Sequence, residues 1–99
     1  MTAPASPTAP IGVVHLVHFT QLYRHARHYT GWTADLESRL AEHHAGRGAR
    51  LLQVITQAGI EWTLARTWQG TRERERQLKR QGGASRRCPI CRANRKQTR

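Results

Sequence analysis

The sequence predicts an α+β fold, a small three-stranded antiparallel sheet flanked by helices. Fifteen of the 17 Leu, Ile, Val and Phe residues lie between Ile11 and Leu64, so a compact core forms there and not beyond. Within that stretch the apolar period switches from the two-residue repeat of strands to the 3.6-residue repeat of helices and back. The resulting order is strand, strand, helix, helix, strand, helix. It spans about 70 residues, which suits one sheet covered by helices.

Residues 1–10 carry three Pro and three Ala with nothing to bury, and read as a disordered leader. Gly12 to Phe19 is β-branched and apolar, a well-buried strand, followed by a loop over 20–27. His28 to Thr33 supplies β-formers at nearly every position and pairs with the first strand, Gly31 marking a bulge or a close backbone approach. Leu36, Leu40, Ala41 and Ala45 recur at helical spacing behind a Thr33 or Asp35 cap, and Gly46 ends that helix. Leu51, Leu52 and Ile55 suggest a second short helix, although Val54 and Ile55 would also suit a strand. Ile60 to Trp68 alternates, with Ile60, Trp62, Leu64 and Trp68 on one side as core. Gly70-Thr71 then caps a helix through Arg80 that Gly82-Gly83 closes. The folded domain is therefore expected over 11–82, with a basic tail over 83–99 that carries Cys88-Pro-Ile-Cys91.

Seventeen Lys or Arg against six Asp or Glu give a net charge of +11. Residues 1–65 are net +1 and residues 66–99 net +10, so the basic charge is a C-terminal property. Fifteen of the cations are Arg, whose fork matches phosphate oxygens, and a polyanion partner follows: DNA, with RNA not excluded. The longest apolar run, Ile11 to Val17, is broken by His15 and falls far short of the roughly 20 residues of a membrane span. With no basic stretch before it and no small-residue cleavage site after it, it does not read as a secretory signal, and a cytoplasmic protein is expected.

Arg39 and His43 stand four apart on the first helix and share a face. Their neighbour His44 cannot share it. On the last helix Leu78 is the one large apolar residue, which places Glu75 and Lys79 at the boundary with the body of the domain. A carboxylate inside a +10 segment is the best ligand the chain offers a divalent metal. Its plainer reading is an ion pair.

Taken in order, Val14-His15-Leu16-Val17-His18-Phe19, Tyr29-Thr30-Gly31, Asp35-Leu36 through Arg39 and His43, Gly46-Arg-Gly48, and Glu75 through Lys79 resemble the GIY-YIG nuclease superfamily, and its small single-domain members most closely. The likeness covers about residues 11–82. Where the family's first signature carries a tyrosine this chain has His15, which the interval to Tyr29 favours over His18. The resemblance implies a metal-dependent DNA endonuclease. Glu75 would hold one Mg²⁺ or Mn²⁺, Arg39 would fork onto the scissile phosphate, and His15 or Tyr29 would activate water, with His43 and Lys79 as supporting phosphate contacts. Imidazole titrates near 6.5 against about 10 for phenol, so His15 is a competent base at neutral pH. The alternative on the same fold is a noncatalytic nucleic-acid-binding module.

Cys88 and Cys91 have the spacing of half a zinc site, but a closed tetrahedral site takes four ligands and no second CxxC exists. His25 and His28, or a second chain, could complete it. The competing reading is incidental thiols in a flexible tail, and a zinc-stapled interaction protein is a third functional class. Trp32 would either stack on a base or pack.

Overall fold

The computed structural model describes residues 11–97. The expected leader over 1–10 and the last two positions lie outside the described residues. The elements are β1 (Ile11–Tyr23), β2 (Ala26–Thr33), α1 (Leu36–His44), α2 (Arg50–Gln57), β3 (Trp62–Thr71), α3 (Arg72–Gln81), α4 (Ala84–Arg87) and α5 (Pro89–Gln97). The three strands form one antiparallel sheet in the order β2-β1-β3, the α+β arrangement with flanking helices that the sequence predicts. No helix among the described residues is long and apolar enough to cross a membrane.

β1 is the central strand, and every residue from Val14 to Phe19 is buried because helices cover both faces. Since successive side chains leave a strand on opposite faces, His15, Val17 and Phe19 share one face while Val14, Leu16 and His18 share the other. On the first face, Val17 and Phe19 form the main core with Leu52 and Ile55 of α2 and with Ile60. Burial of each such side chain stabilises the fold by about 1.5–3 kcal/mol. The same contacts make 50–57 a helix, since Leu52 and Ile55 must reach one face together.

The loop expected over 20–27 is instead a continuation of the hairpin. β1 runs on to Tyr23, which pairs with Ala26 across a turn at Arg24 and His25, and Arg24 takes a left-handed conformation at φ 57. Thr20 is held to the rest of the fold by backbone and hydroxyl hydrogen bonds to the Glu61 carbonyl at 2.9 and 3.1 Å. β3 carries a second departure. Leu16 pairs with Arg66 but Val17 pairs with Leu64, so Ala65 is an extra residue. This bulge reverses the facing of the strand: Trp62, opposite Phe19, faces the main core, whereas Trp68, opposite Val14, lies on the other face. The expected single stripe from Ile60 to Trp68 is therefore split, and both tryptophans are half-buried.

α1 begins where the Asp35 carboxylate accepts from the Ser38 N–H at 3.2 Å, and α3 where the Thr71 hydroxyl accepts from the Arg74 N–H at 3.1 Å. Each such cap contributes about 1 kcal/mol. α3 lies against all three strands through Leu78, and Glu75 is drawn in beside it. The basic tail folds from 84 to 97 into two helices, α4 against β2 and α5 against β3, and Cys88 between them is fully buried, which is not the flexible tail of the competing reading.

Candidate functional site

Two clusters of reactive side chains occupy the two faces of β1. On the face carrying His15, three rings converge. The His15 and Tyr29 centroids are 5.9 Å apart, His15 and His43 5.7 Å, and Tyr29 and His43 5.7 Å. β1 supplies the first, β2 the second and α1 the third. Gly31 opposite His15 makes the approach feasible: a side chain there would begin 2.7 Å from both His15 Nε2 and the Tyr29 hydroxyl. Those two polar atoms therefore pack together against the Gly31 backbone, where a Cβ would otherwise sit. Gly48 does the same for His43, since any side chain at that position would overlap the His43 ring.

The hydrogen bonding of these imidazoles is incomplete. His43 Nδ1 accepts from the Ala49 N–H at 3.4 Å, which leaves the ring proton on Nε2, and that buried N–H has no partner. Neither nitrogen of His15 makes a well-formed hydrogen bond, although the Val13 backbone acts on the ring. Unsatisfied buried polar atoms are costly, about 1–3 kcal/mol each, and three of them fall in this one cluster. Burial holds the His15 pKa below the usual histidine value, with Arg39 and Lys79 adding to the effect and the Val13 backbone and Glu75 opposing it, so the ring is neutral at pH 7. Burial, then Arg39 and His15, push His43 down to about 4.

The charged residues singled out from the sequence surround these rings. Lys79 Nζ bonds Glu75 Oε2 at 2.8 Å and stands 5.6 Å from the centre of the Tyr29 ring. Glu75 is 7% exposed, so its charge lies at the edge of the cluster and not in open solvent. Arg39 pairs with Glu42 at 2.9 Å, and Glu42 followed by Tyr29 raises its pKa. Arg39 also lines a cleft with Trp32, Asp35, Ser38, Glu42 and Arg72. His15, Tyr29, Arg39, His43, Glu75 and Lys79 thus gather in one region. Glu42, absent from the sequence reading, restrains Arg39, and its signal was the three-residue spacing on the helix face. His44 turns outward and stacks on Trp62 at 4.3 Å. Trp32 donates from Nε1 to the Gly70 carbonyl at 2.9 Å and is covered by Arg72 at 4.6 Å, so it is packed rather than open to a base.

The opposite face of β1 carries the second cluster. His18 and His28 are register partners across β1 and β2, with ring centroids 5.3 Å apart. The α4–α5 junction brings both cysteines to them. Cys88 Sγ lies 3.5 Å from His18 Nδ1, and Cys91 Sγ lies 3.7 Å from the same atom and 3.3 Å from His28 Nε2. All four ligand atoms fall within 4.8 Å of one another. This His₂Cys₂ group can hold a metal ion. Burial, then His18 and Arg27, hold His28 down at about 4, so it is neutral and available as a ligand at pH 7. Burial raises the Cys91 thiol, which a metal would reverse.

Family models, curated proteins and solved structures give no match to this chain.

Beside Cys88 and Cys91 the structure thus places His28, one of the two histidines the sequence offers, and His18, which the sequence reading of the CxxC does not include. His25 is exposed in the hairpin turn and stays outside the group. Only the alternation of β1 could have signalled His18, because it sets His18 on the face away from His15.

Proposed function

We propose that this chain is a metal-dependent endonuclease that hydrolyses DNA phosphodiester bonds, built on a fold like that of the small GIY-YIG nucleases. The observation that supports the reading is the meeting of an unpartnered His15 Nε2 and the Tyr29 hydroxyl over the Gly31 backbone, beside the buried Glu75 carboxylate and Arg39. Hydrolysis needs a base near the attacking water and positive charge where the phosphoryl oxygens gain charge. Neutral His15 takes the water proton, and Tyr29 orients that water. Arg39 forks onto the scissile phosphate once it leaves Glu42, and the His43 Nε2–H supplies a further donor. Mg²⁺ commonly binds through one or two carboxylates plus substrate phosphate, so a single Glu75 fits that ion or Mn²⁺ when DNA is present. The ion, when bound, neutralises developing phosphoryl charge. Lys79 would then turn from Glu75 to the phosphate.

The Glu75–Lys79 pair at 2.8 Å favours one other reading, a noncatalytic nucleic-acid-binding module in which that carboxylate is simply an ion-pair partner. Nicking of supercoiled plasmid separates the two. The endonuclease converts plasmid to the open circle with Mg²⁺ or Mn²⁺, and EDTA or Glu75→Ala abolishes this. Activity that survives both EDTA and Glu75→Ala overturns the metal assignment, and plasmid that is bound but never nicked supports the binding module.

The second cluster suits Zn²⁺. Zn–S bonds of about 2.3 Å and Zn–N bonds of about 2.0–2.1 Å require tetrahedral edges of about 3.3–3.8 Å. Three of the six ligand separations, 3.3, 3.5 and 3.7 Å, match them, and the whole set falls within 4.8 Å. Four protein ligands leave no open position, so the role is structural. A reducing cytoplasmic compartment keeps both thiols available.

A further inference from the structure

We propose that the cleft between β3 and the α4–α5 junction, lined by Arg66, Arg87, Pro89 and Arg92, is a second binding site for nucleic-acid backbone phosphate, assembled by the metal at His18, His28, Cys88 and Cys91. It rests on the zinc reading above and is independent of whether the chain cuts DNA.

Three arginines meet in this cleft without a counter-charge. Arg66 Nη1 donates to the Arg87 carbonyl at 3.2 Å and its guanidinium lies over Trp68 at 4.8 Å, while Arg87 Nη2 donates to the Leu78 carbonyl at 3.3 Å. These contacts fix two guanidinium groups in place without neutralising them. Among the described residues, the ion pairs link Arg39, Arg76, Lys79 and Arg80 to Glu42, Glu73 and Glu75, and none involves Arg66, Arg87 or Arg92. Arg66, Arg87 and Arg92 line the cleft with Pro89 and no carboxylate lines it with them, so like charges face one another there. A bound phosphate relieves that repulsion, and the arginine fork matches its oxygens.

The metal determines whether the cleft exists. Cys88 stands between Arg87 and Pro89 in the chain, and its sulfur joins the tetrad. Ligation of Cys88 and Cys91 to two strands of the sheet therefore sets where Arg87 and Arg92 lie relative to Arg66 on β3. Arg66 pairs with Leu16, on the face of β1 that also carries His18 and away from His15. The cleft thus contacts a different stretch of backbone from the one held at the His15 cluster.

The test measures zinc content and the salt dependence of duplex binding for the full chain, using a labelled DNA duplex in magnesium-free buffer. Wild type is expected to hold one zinc. The double variant Arg66→Gln, Arg92→Gln replaces two exposed side chains, so it should keep its zinc and its circular dichroism spectrum. Its plot of log affinity against log salt should be shallower by about two phosphate contacts, roughly 0.9 in slope for each. Zinc-stripped wild type should show the same shallow slope. A zinc-loaded double variant with the wild-type slope overturns the phosphate site and leaves the zinc reading standing. Stripped protein with the wild-type slope overturns the dependence on metal. Protein that neither carries nor takes up zinc overturns the zinc reading and the assembly of the cleft with it.

Discussion

His43 shows how a single side chain links the fold to the chemistry. Its Nδ1 is tied to the Ala49 N–H while Nε2 points unpartnered into the cluster, and Gly48 leaves the space that the ring occupies. Burial, the first cause, and the Arg39 and His15 charges hold its folded-state pKa at about 4, below the ordinary 6.5. The unfolded chain therefore binds a proton at this position between pH 6.5 and 4 while the folded chain does not. The stability contributed by a neutral His43 is complete above pH 6.5 and is lost as pH falls towards 4, with a slope of up to about 1.4 kcal/mol per pH unit. Thermal unfolding across that range should show a midpoint flat above pH 6.5 and falling below it, and His43→Gln should lessen the fall, His28 supplying part of the remainder by the same linkage. A midpoint that rises on acidification contradicts this account of the ring.

At the scale of elements, α4 and α5 have little apolar surface of their own, and Cys88 is the buried residue that joins them to the sheet. If zinc fastens the tetrad, removing it should release α4 and α5 while the β1–β2–β3 core holds. Amide hydrogen exchange should lose protection in 84–97 and retain it in 14–19, whereas equal protection with and without metal would count against a structural zinc. The same region shows what the sequence could and could not convey. Strand β1, helix α1 and helix α3 were legible because local signals agree: a stretch rich in β-branched and apolar residues, the Asp35 and Thr71 caps, and the Gly46 and Gly82 stops. The hairpin through Tyr23 was not, because Thr20-Gln21 is polar and Arg24 adopts a left-handed turn without being a glycine. Nor was the bulge at Ala65, which is set by pairing with β1 and moves Trp68 to the opposite face from Trp62. His18 was missed as a ligand for the same reason: its partners Cys88 and Cys91 are 70 and 73 residues away.

Across the whole molecule, β1 divides two kinds of site. One face gathers His15, Tyr29 and His43, with Arg39, Glu75 and Lys79 about them, and the other gathers the His₂Cys₂ group next to the arginine cleft. The expected site residues came together because each lies at an element position that the sequence marks, and the restraint of Arg39 by Glu42 follows from the same three-residue spacing on α1. The net charge of +11 is accordingly not one diffuse field. Part of it surrounds the buried carboxylate of Glu75, and part lines a cleft in which no carboxylate answers it. The reading of the first face as a phosphodiesterase site depends on His15 as the base. The direct measurement is single-turnover cleavage of a labelled DNA duplex by wild type and by His15→Ala, in Mg²⁺, with both proteins shown to be folded. General-base catalysis contributes about 10²–10⁴-fold, so His15→Ala should cleave slower by that factor while binding the duplex as well as wild type. Equal cleavage rates would contradict the assignment of His15 and, with it, the catalytic role of this cluster.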